Sequence, residues 1–547
     1  MRPNRTAPDL LNHLVLWLSS GHISRRATVA AGAGGVMALG HPPFDWLAIG
    51  LFGLVLCGVI FLGANGVRQA AWIGWWCGLG YFAVLLHWVV EPFLVYPEQD
   101  GWMAPFALFF LSGGLALFWV AAFAFARRFA SLVVLCLALT VAEGLRSYVL
   151  TGFPWGLIGY VWLNSPVSQL GAWVGPHGLT LLTLTLVFLP LALLRATRSW
   201  TALAVLLGGG IAVLVLGYWQ GQDPAPRMTD TSLRLIQPNA PQDQKWRPEN
   251  RELFFQRQLG FTRQDPRPDL IVWPETAIPV LLNNADDVLA QIATTANGTT
   301  VVLGAQRYDA WGYYNSLAVL DPTGQISHRY DKHHLVPFGE YIPFLGLFGI
   351  LGGGLAAQFG GGYQPGVGPT VLAVDGVGKF LPLICYELVF PHEIGSVSQR
   401  ADFMLQITND AWFGTFSGPY QHLAQARMRA IEQGLPMVRA ANTGVSAVID
   451  AKGKLLQHLP LGQAGYLDAV LPAPGPPTVY SRFGDGLVFL LLGLFAVGYI
   501  LSRRGFGDCP SKACALLHGN LRPQRLPGVA IFLMERLNVP SKLYIHL

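Results

Sequence analysis

The sequence predicts an α-helical transmembrane bundle of about eight spans joined to one extracytoplasmic α/β domain, and three observations carry that reading. Of 547 residues, 52% are hydrophobic and only 12% charged, a balance far from that of a soluble chain. Apolar runs of roughly 17 to 25 residues, enough to cross a hydrocarbon core, crowd the first 219 positions and return once near 485. Between them, residues 220–484 are more polar and alternate β-like with helical patterns.

Taken in order, the long runs lie at about 44–63, 70–90, 103–126, 129–150, 172–194, 201–219 and 485–501, with a shorter candidate at 27–40. The first has the length of a signal-peptide core, but no small-residue cleavage site follows it and further apolar segments begin at once, so it reads as a retained anchor. Short loops rich in Lys and Arg stay in the cytoplasm. Arg25 and Arg26 precede the first span, Arg68 follows the second, Arg127 and Arg128 the fourth, Arg195 and Arg198 the sixth, and Arg503 and Arg504 the eighth. The alternate loops, 41–45 and 91–100, carry neither residue. The chain therefore divides into a membrane domain of about seven spans at 1–219, an extracytoplasmic domain at 220–484, a last span at 485–504 and a cytoplasmic tail at 505–547 without a readable motif. This placement denies the site cytosolic ATP and coenzyme A, and the small net charge of +5 makes nucleic acid an unsuitable partner.

In the extracytoplasmic block, the runs SLRLIQ, DLIVWPE, TTVVLGAQRY, NSLAVLD, FLPLICYE, DFMLQITND and MVRAANTGVSAVID read as strands, and helices are predicted near 248–264, 284–297 and 419–434. The strands are apolar nearly throughout, as in a sheet covered on both faces. The Gly-rich stretch from Gly349 to Gly368 reads as a long loop, a lid or a plain connection.

Cys57, Cys77 and Cys136 lie in apolar runs and Cys509 and Cys514 in the tail, which leaves Cys385 alone in the polar block with no disulfide framework around it. Cys385 ends the apolar run PLIC, where a strand presents its last side chain to a cleft. Glu275 ends IVWPE in the same way, and a carboxylate there is costly unless exposed or paired. RYDKHHLVPFGE supplies Lys332 and, eight residues on, Glu340. Singly, each is an ordinary core cysteine, strand-end acid or surface lysine. Together, Glu, Lys and Cys form a set able to perform nucleophilic acyl transfer.

The ordered motifs W-P-E, Y-x-K-x-x-L-V-P-F-G-E, I-C-Y-E and N-D-A-W-F-G resemble those of the nitrilase superfamily. With the spans, T-G-F-P-W at 151–155 and Q-x-N-x-P-Q before Lys245 and Trp246, the chain over about 27–501 resembles the bacterial apolipoprotein N-acyltransferases. The resemblance implies a nitrilase-like α-β-β-α sandwich in which Glu275 is the general base, Lys332 stabilises the oxyanion and Cys385 is the nucleophile. It implies supporting roles for Glu340, Tyr386 and Glu387, and transfer of an acyl chain from a phospholipid, through a thioester on Cys385, to the α-amine of a diacylglyceryl-cysteine apolipoprotein in the bacterial inner membrane. No cofactor and no metal are expected. Trp246, Trp412 and Phe413 are candidates for lining the substrate path, with plain aromatic packing as the alternative. Pro154 and Trp155 are read as an interfacial anchor or a substrate contact.

A hydrolase that passes the acyl group to water would use the same triad. A transporter would need ionisable residues inside its spans, and Glu143, Arg146 and His87 sit near span ends, where snorkelling or local pairing accounts for them. His333, His334 and His392 lack zinc-ligand spacing, and no Gly-rich run continues into a phosphate loop.

Overall fold

The computed structural model describes residues 22–197, 201–222, 226–343 and 362–505. The expected tail after 505 and most of the Gly-rich loop lie outside the described residues.

Helices occur at every predicted apolar run: α1 (Ile23–Ala38), α2 (Leu47–Leu62), α3 (Val67–Leu85), α4 (Ala104–Phe129), α5 (Leu132–Tyr148), α6 (Gly171–Thr197), α7 (Thr201–Gly221) and, at the far end, the helix Gly486–Gly505. By length and composition, Pro97–Phe129 and Pro166–Arg195 are sufficient to cross a membrane, and α3 with the bent turn His87–Leu94 that follows it makes a third candidate. Leu47–Leu62 is apolar but shorter. Small residues let these helices approach closely. A Cβ on Gly80 would lie 2.0 Å from the Ala31 carbonyl oxygen, and one on Gly34 1.9 Å from that of Cys77, so only glycine permits the α1–α3 contact. Glu143 and Arg146 form a fully buried ion pair on α5, which is the local pairing and not snorkelling. Trp155 is also fully buried, so the expected interfacial anchor is corrected: its indole faces protein.

The second domain begins with β1 (Met228–Gln237) and α8 (Pro248–Thr262), then β2 (Leu270–Val272), α9 (Asp286–Ala296), β3 (Thr300–Asp309), β4 (Gly312–Leu320) and β5 (Ile326–Asp331). It continues with β6 (Leu372–Val374), β7 (Gly378–Ile384), β8 (Phe403–Thr408), α10 (Gly418–Gln433), β9 (Met437–Ala441), β10 (Ser446–Ile449), β11 (Leu455–Leu459) and β12 (Gly465–Pro472). The strands form two six-stranded sheets, ordered β12-β1-β2-β3-β4-β5 and β11-β10-β9-β8-β7-β6. Alternation along each strand assigns the layers. Leu270 and Val272 face the core shared with Phe403, Leu405 and Ile407 of the other sheet. Ile271 and Trp273 face outward onto Phe255, Leu259 and Ile292 of α8 and α9. On the second sheet Leu381, Leu383 and Met404 face Ala426 and Ala430 of α10. The result is an α-β-β-α sandwich. Helix α10 is buried on a second side as well, where Ala424, Met428 and Ile431 pack on Leu157, Tyr160 and Leu170 of the helical domain.

Candidate active site

Each predicted reactive residue follows the last residue of a strand or lies just beyond it, at the same edge of the sandwich. Cys385 directly follows β7 and opens the 3-10 turn Cys385–Val389 with φ of +51°, a conformation that a non-glycine residue adopts only when its surroundings hold it. Glu275 lies three residues past β2. Gly304 of β3 packs so tightly against it that an added Cβ would meet the Glu275 Cα at 2.6 Å. Lys332 directly follows β5, and its backbone N–H donates to the Asn315 carbonyl of β4 at 2.8 Å.

All three side chains are withdrawn from water: Cys385 is 5% exposed, Glu275 6% and Lys332 1%. The Lys332 Nζ donates to Glu340 at 2.8 Å and stands 4.0 Å from Glu275 Oε1. Glu275 Oε1 accepts from Asn315 Nδ2 at 2.7 Å, and its Oε2 accepts from the Asn409 backbone N–H at 2.8 Å. The same Asn315 amide donates to Glu340 Oε1 at 3.2 Å, and Glu340 Oε2 accepts from the Val336 N–H at 2.8 Å. One ammonium and one amide thus hold two carboxylates.

The electrostatics follow from burial and these neighbours. Burial, and after it the Glu275 carboxylate, push the Cys385 thiol well above the ordinary thiol range, while the Lys332 ammonium pulls it down. Both groups therefore lie within electrostatic reach of the sulfur. Burial raises the Glu275 carboxyl above its usual range against the pull of Lys332. For Lys332, burial disfavours the charge, but Glu340 and Glu275 outweigh it and hold the amine protonated. A thiol raised in this way would need a base before it could attack a carbonyl.

Glu387 is fully buried and binds the turn to its surroundings: Oε2 accepts from the Ile384 N–H at 2.7 Å, and Oε1 from the Tyr330 hydroxyl at 2.8 Å and the His333 N–H at 2.7 Å. It thereby joins the Cys385 turn to the segment carrying Lys332. Tyr386 is buried, its ring edge-on to Phe390 and His334. His333 and His334 contact both oxygens of Glu393, which they hold down to about 2 against the opposing effect of burial. Of the substrate-path candidates, Trp246 is 39% exposed and lines a small cavity with Lys245, Thr276 and Gln258 on the flank of Glu275. Trp412 is 40% exposed. Phe413 is buried, 4.8 Å from Trp88 and 5.4 Å from Trp155, ring to ring, in an aromatic cluster between the two domains.

The site contains residues that the sequence analysis did not single out. Asn315 holds Glu275 and Glu340, and Gln406 donates to the Cys385 carbonyl at 3.1 Å. Lys245 donates to the Glu275 carbonyl at 3.3 Å and to Thr276 Oγ1 at 3.0 Å. Burial brings the Lys245 amine down to about 8. Asn315 and Gln406 are polar residues inside otherwise apolar runs, and a buried amide in a strand needs partners; that is the signal that marks them.

Residues 33–189 match the apolipoprotein N-acyltransferase N-terminal domain, and residues 247–473 the carbon-nitrogen hydrolase family. The chain is 39% identical over 521 residues to an apolipoprotein N-acyltransferase of Rhodopseudomonas palustris, covering 88% of this chain and 96% of that one. It is 37% identical over 518 residues to one of Brucella melitensis biotype 1, covering 88% and 97%. A CN-hydrolase superfamily protein of Xanthomonas campestris aligns with 45% of this chain and 91% of its own at 22% identity and a TM-score of 0.34. The helical domain and the hydrolase domain are matched in one chain and nearly end to end, so the chain belongs to the apolipoprotein N-acyltransferase family.

Proposed function

We propose that this N-acyltransferase works by a two-step exchange on Cys385, with a phospholipid as acyl donor and the α-amine of a diacylglyceryl-cysteine apolipoprotein as acceptor. The convergence of Glu275, Lys332 and Cys385 in one water-excluded pocket supports this reading. In the first step Glu275 takes the thiol proton as sulfur attacks the ester carbonyl. The tetrahedral oxyanion is stabilised by the Lys332 ammonium and the Tyr386 N–H. Glu275 then gives the proton to the departing glyceryl oxygen, and the lysophospholipid leaves a thioester behind. In the second step the acceptor amine attacks the thioester, Glu275 takes the amine proton, and sulfur leaves and is reprotonated. Glu340 keeps Lys332 in place, and Glu387 keeps the nucleophile turn in place. Trp246, Trp412 and the apolar helices would guide the lipid chains.

The alternation of Lys- and Arg-bearing loops supports a multi-pass protein of the inner membrane with the hydrolase domain on the periplasmic side. A thioester needs no nucleotide to store an acyl group, which suits that side. The test is the intact mass of the purified protein after exposure to phospholipid vesicles. A fatty-acyl increment that maps to Cys385, persists in buffer and disappears when a diacylglyceryl peptide with a free amine is added is the expected result. An increment that decays with release of fatty acid before any amine is added means hydrolysis, and no increment on Cys385 refutes the route.

A further inference from the structure

Helix α10 carries two adjacent side chains that face different domains. Gln421 Oε1 accepts from the indole N–H groups of Trp88 at 3.1 Å and Trp155 at 2.7 Å. Its Nε2 donates to the carbonyls of Pro42 at 3.1 Å and Leu85 at 3.0 Å. Both hydrogens and both lone pairs of one buried amide are used, and every partner belongs to the helical domain. Three separate stretches of that domain, around residues 42, 85–88 and 155, meet on this single side chain.

The next residue, His422, lies under the nucleophile. Its ring stacks on Trp155 with centroids 5.6 Å apart, and its Nδ1 is 2.9 Å from Asp410 Oδ1. Asp410 can only accept there, so Nδ1 carries the proton. Burial, and after it Arg439, hold the ring below its ordinary pKa. Its Nε2 stands 3.2 Å from both Gln406 Nε2 and the Cys385 carbonyl, and the Gln406 amide itself donates to that carbonyl at 3.1 Å. Arg439 closes the network by donating to Gln406 Oε1 and Asp410 Oδ2. Every member is satisfied, and the chain ends on a residue whose backbone, at φ of +51°, depends on being held.

We propose that Gln421, His422 and Gln406 form a positioning chain that ties the orientation of the Cys385 turn to the packing of the helical domain. The contacts that seat the lipid-facing helices then also align the sulfur and the Tyr386 N–H. The inference rests on Cys385 being the nucleophile, and it assigns to these three residues alignment without substrate contact.

The test uses the full-length protein with Gln421→Glu, His422→Phe and the double variant. Gln421→Glu keeps the shape and the two indole bonds but sets a carboxylate oxygen against two carbonyls. His422→Phe keeps the stacked ring and removes both nitrogens. Acylation of Cys385 is followed by intact mass with saturating phospholipid and, separately, with p-nitrophenyl acetate, which needs no lipid site. The expected result is that each single variant acylates about 10- to 100-fold more slowly with both donors, the scale of a misplacement near 1 Å. Phospholipid KM stays unchanged, and the double variant is no slower than the slower single by more than about threefold, because both act through one chain. Losses that multiply in the double variant, or slow phospholipid acylation with normal p-nitrophenyl acetate acylation, overturn the proposal. If Gln421→Glu does not accumulate, His422→Phe with the small ester decides alone, and a wild-type rate overturns it. A wild-type protein that takes no acyl group from phospholipid counts against the proposed function. A wild-type protein that does, alongside variants equal to it, counts against the positioning chain.

Discussion

Asn315→Leu tests whether the amide between the two carboxylates governs the base. The substitution keeps side-chain volume roughly constant and removes the hydrogen bonds to Glu275 Oε1 at 2.7 Å and Glu340 Oε1 at 3.2 Å. A hydrogen bond to a charged acceptor contributes about 1.5–3 kcal/mol, and this one favours ionised Glu275 over the neutral acid. At 1.36 kcal/mol per unit, its loss raises the Glu275 pKa by about one to two units. That carboxyl already lies above its ordinary value through burial. In the proposed route Glu275 must be ionised to accept the thiol proton, so a higher pKa moves the acid limb of the rate profile to higher pH by the same one to two units. On the alkaline side of the limb, the Asn409 N–H and the Lys332–Glu340 pair remain, and the rate should recover to within about tenfold of wild type. The assay is the first-order rate of Cys385 acylation across pH, read by intact mass. An acid limb that stays in place while the plateau collapses would show that Asn315 builds the pocket without tuning its base, and the electrostatic reasoning would be wrong.

Lys245→Met removes a second positive charge near Glu275 and should shift the same limb upward by less, because its ammonium faces the Glu275 backbone carbonyl and not the carboxylate. In the folded protein Lys245 is lowered from 10.5 to about 8 by burial, so the unfolded chain holds that proton more tightly. Stability therefore rises with pH across that window, and chemical denaturation of Lys245→Met should lack the rise. Gly304→Ala would set a Cβ 2.6 Å from the Glu275 Cα and 2.6 Å from the Thr276 nitrogen; the backbone must yield, and acylation should fall about 100-fold with little change in phospholipid KM. Glu143→Gln leaves Arg146 buried without its carboxylate and should lower unfolding free energy by about 3–5 kcal/mol in thermal denaturation, with acylation of the surviving folded protein retained.

The seven strand runs read from the sequence cover all eight inner strands of the two sheets, the run at 437–450 being the hairpin β9–β10. The four strands that were not read, β5, β6, β11 and β12, are the four edges. An edge strand has one neighbour and is partly wetted, so ISHRYD and LLQHL have no continuous apolar run to reveal them. The site divides along similar lines. Glu275 and Cys385 stand out in the sequence because each ends an apolar run at a strand terminus, whereas Lys332 follows the polar edge strand β5 and stands out only through the ordered Y-x-K-x-x-L-V-P-F-G-E motif. Asn315, Gln406 and His422 do not stand out, since their importance comes from partners 40, 21 and 16 residues away, a relation that only folding creates. Of the two readings of Trp155, the interfacial anchor fails for the same reason: a tryptophan in a loop between apolar runs has the composition of an anchor, and its partner, Gln421, lies 266 positions along the chain.

The depth of the pocket bears on the choice of acceptor. The proposed thioester is thermodynamically open to both water and an amine, and in that route the outcome is set by which one reaches the carbonyl while Glu275 is ionised. An exposed Cys385 would let water win by concentration alone. Here Cys385, Glu275 and Lys332 are all nearly dry, and the aromatic cluster of Trp88, Trp155 and Phe413 packs beside the His422 that backs the Cys385 turn. An acyl chain lying across the mouth would add to that seal and would leave only when a second lipid-bearing substrate displaced it. This account requires the lifetime of the acyl-enzyme in buffer to depend on chain length. A palmitoyl-enzyme should outlast an acetyl-enzyme made with p-nitrophenyl acetate by at least about tenfold, the factor given by roughly 1.4 kcal/mol of barrier. Equal hydrolysis rates for the two would mean that the protein alone excludes water and that the lipid chain plays no part in protecting its own thioester.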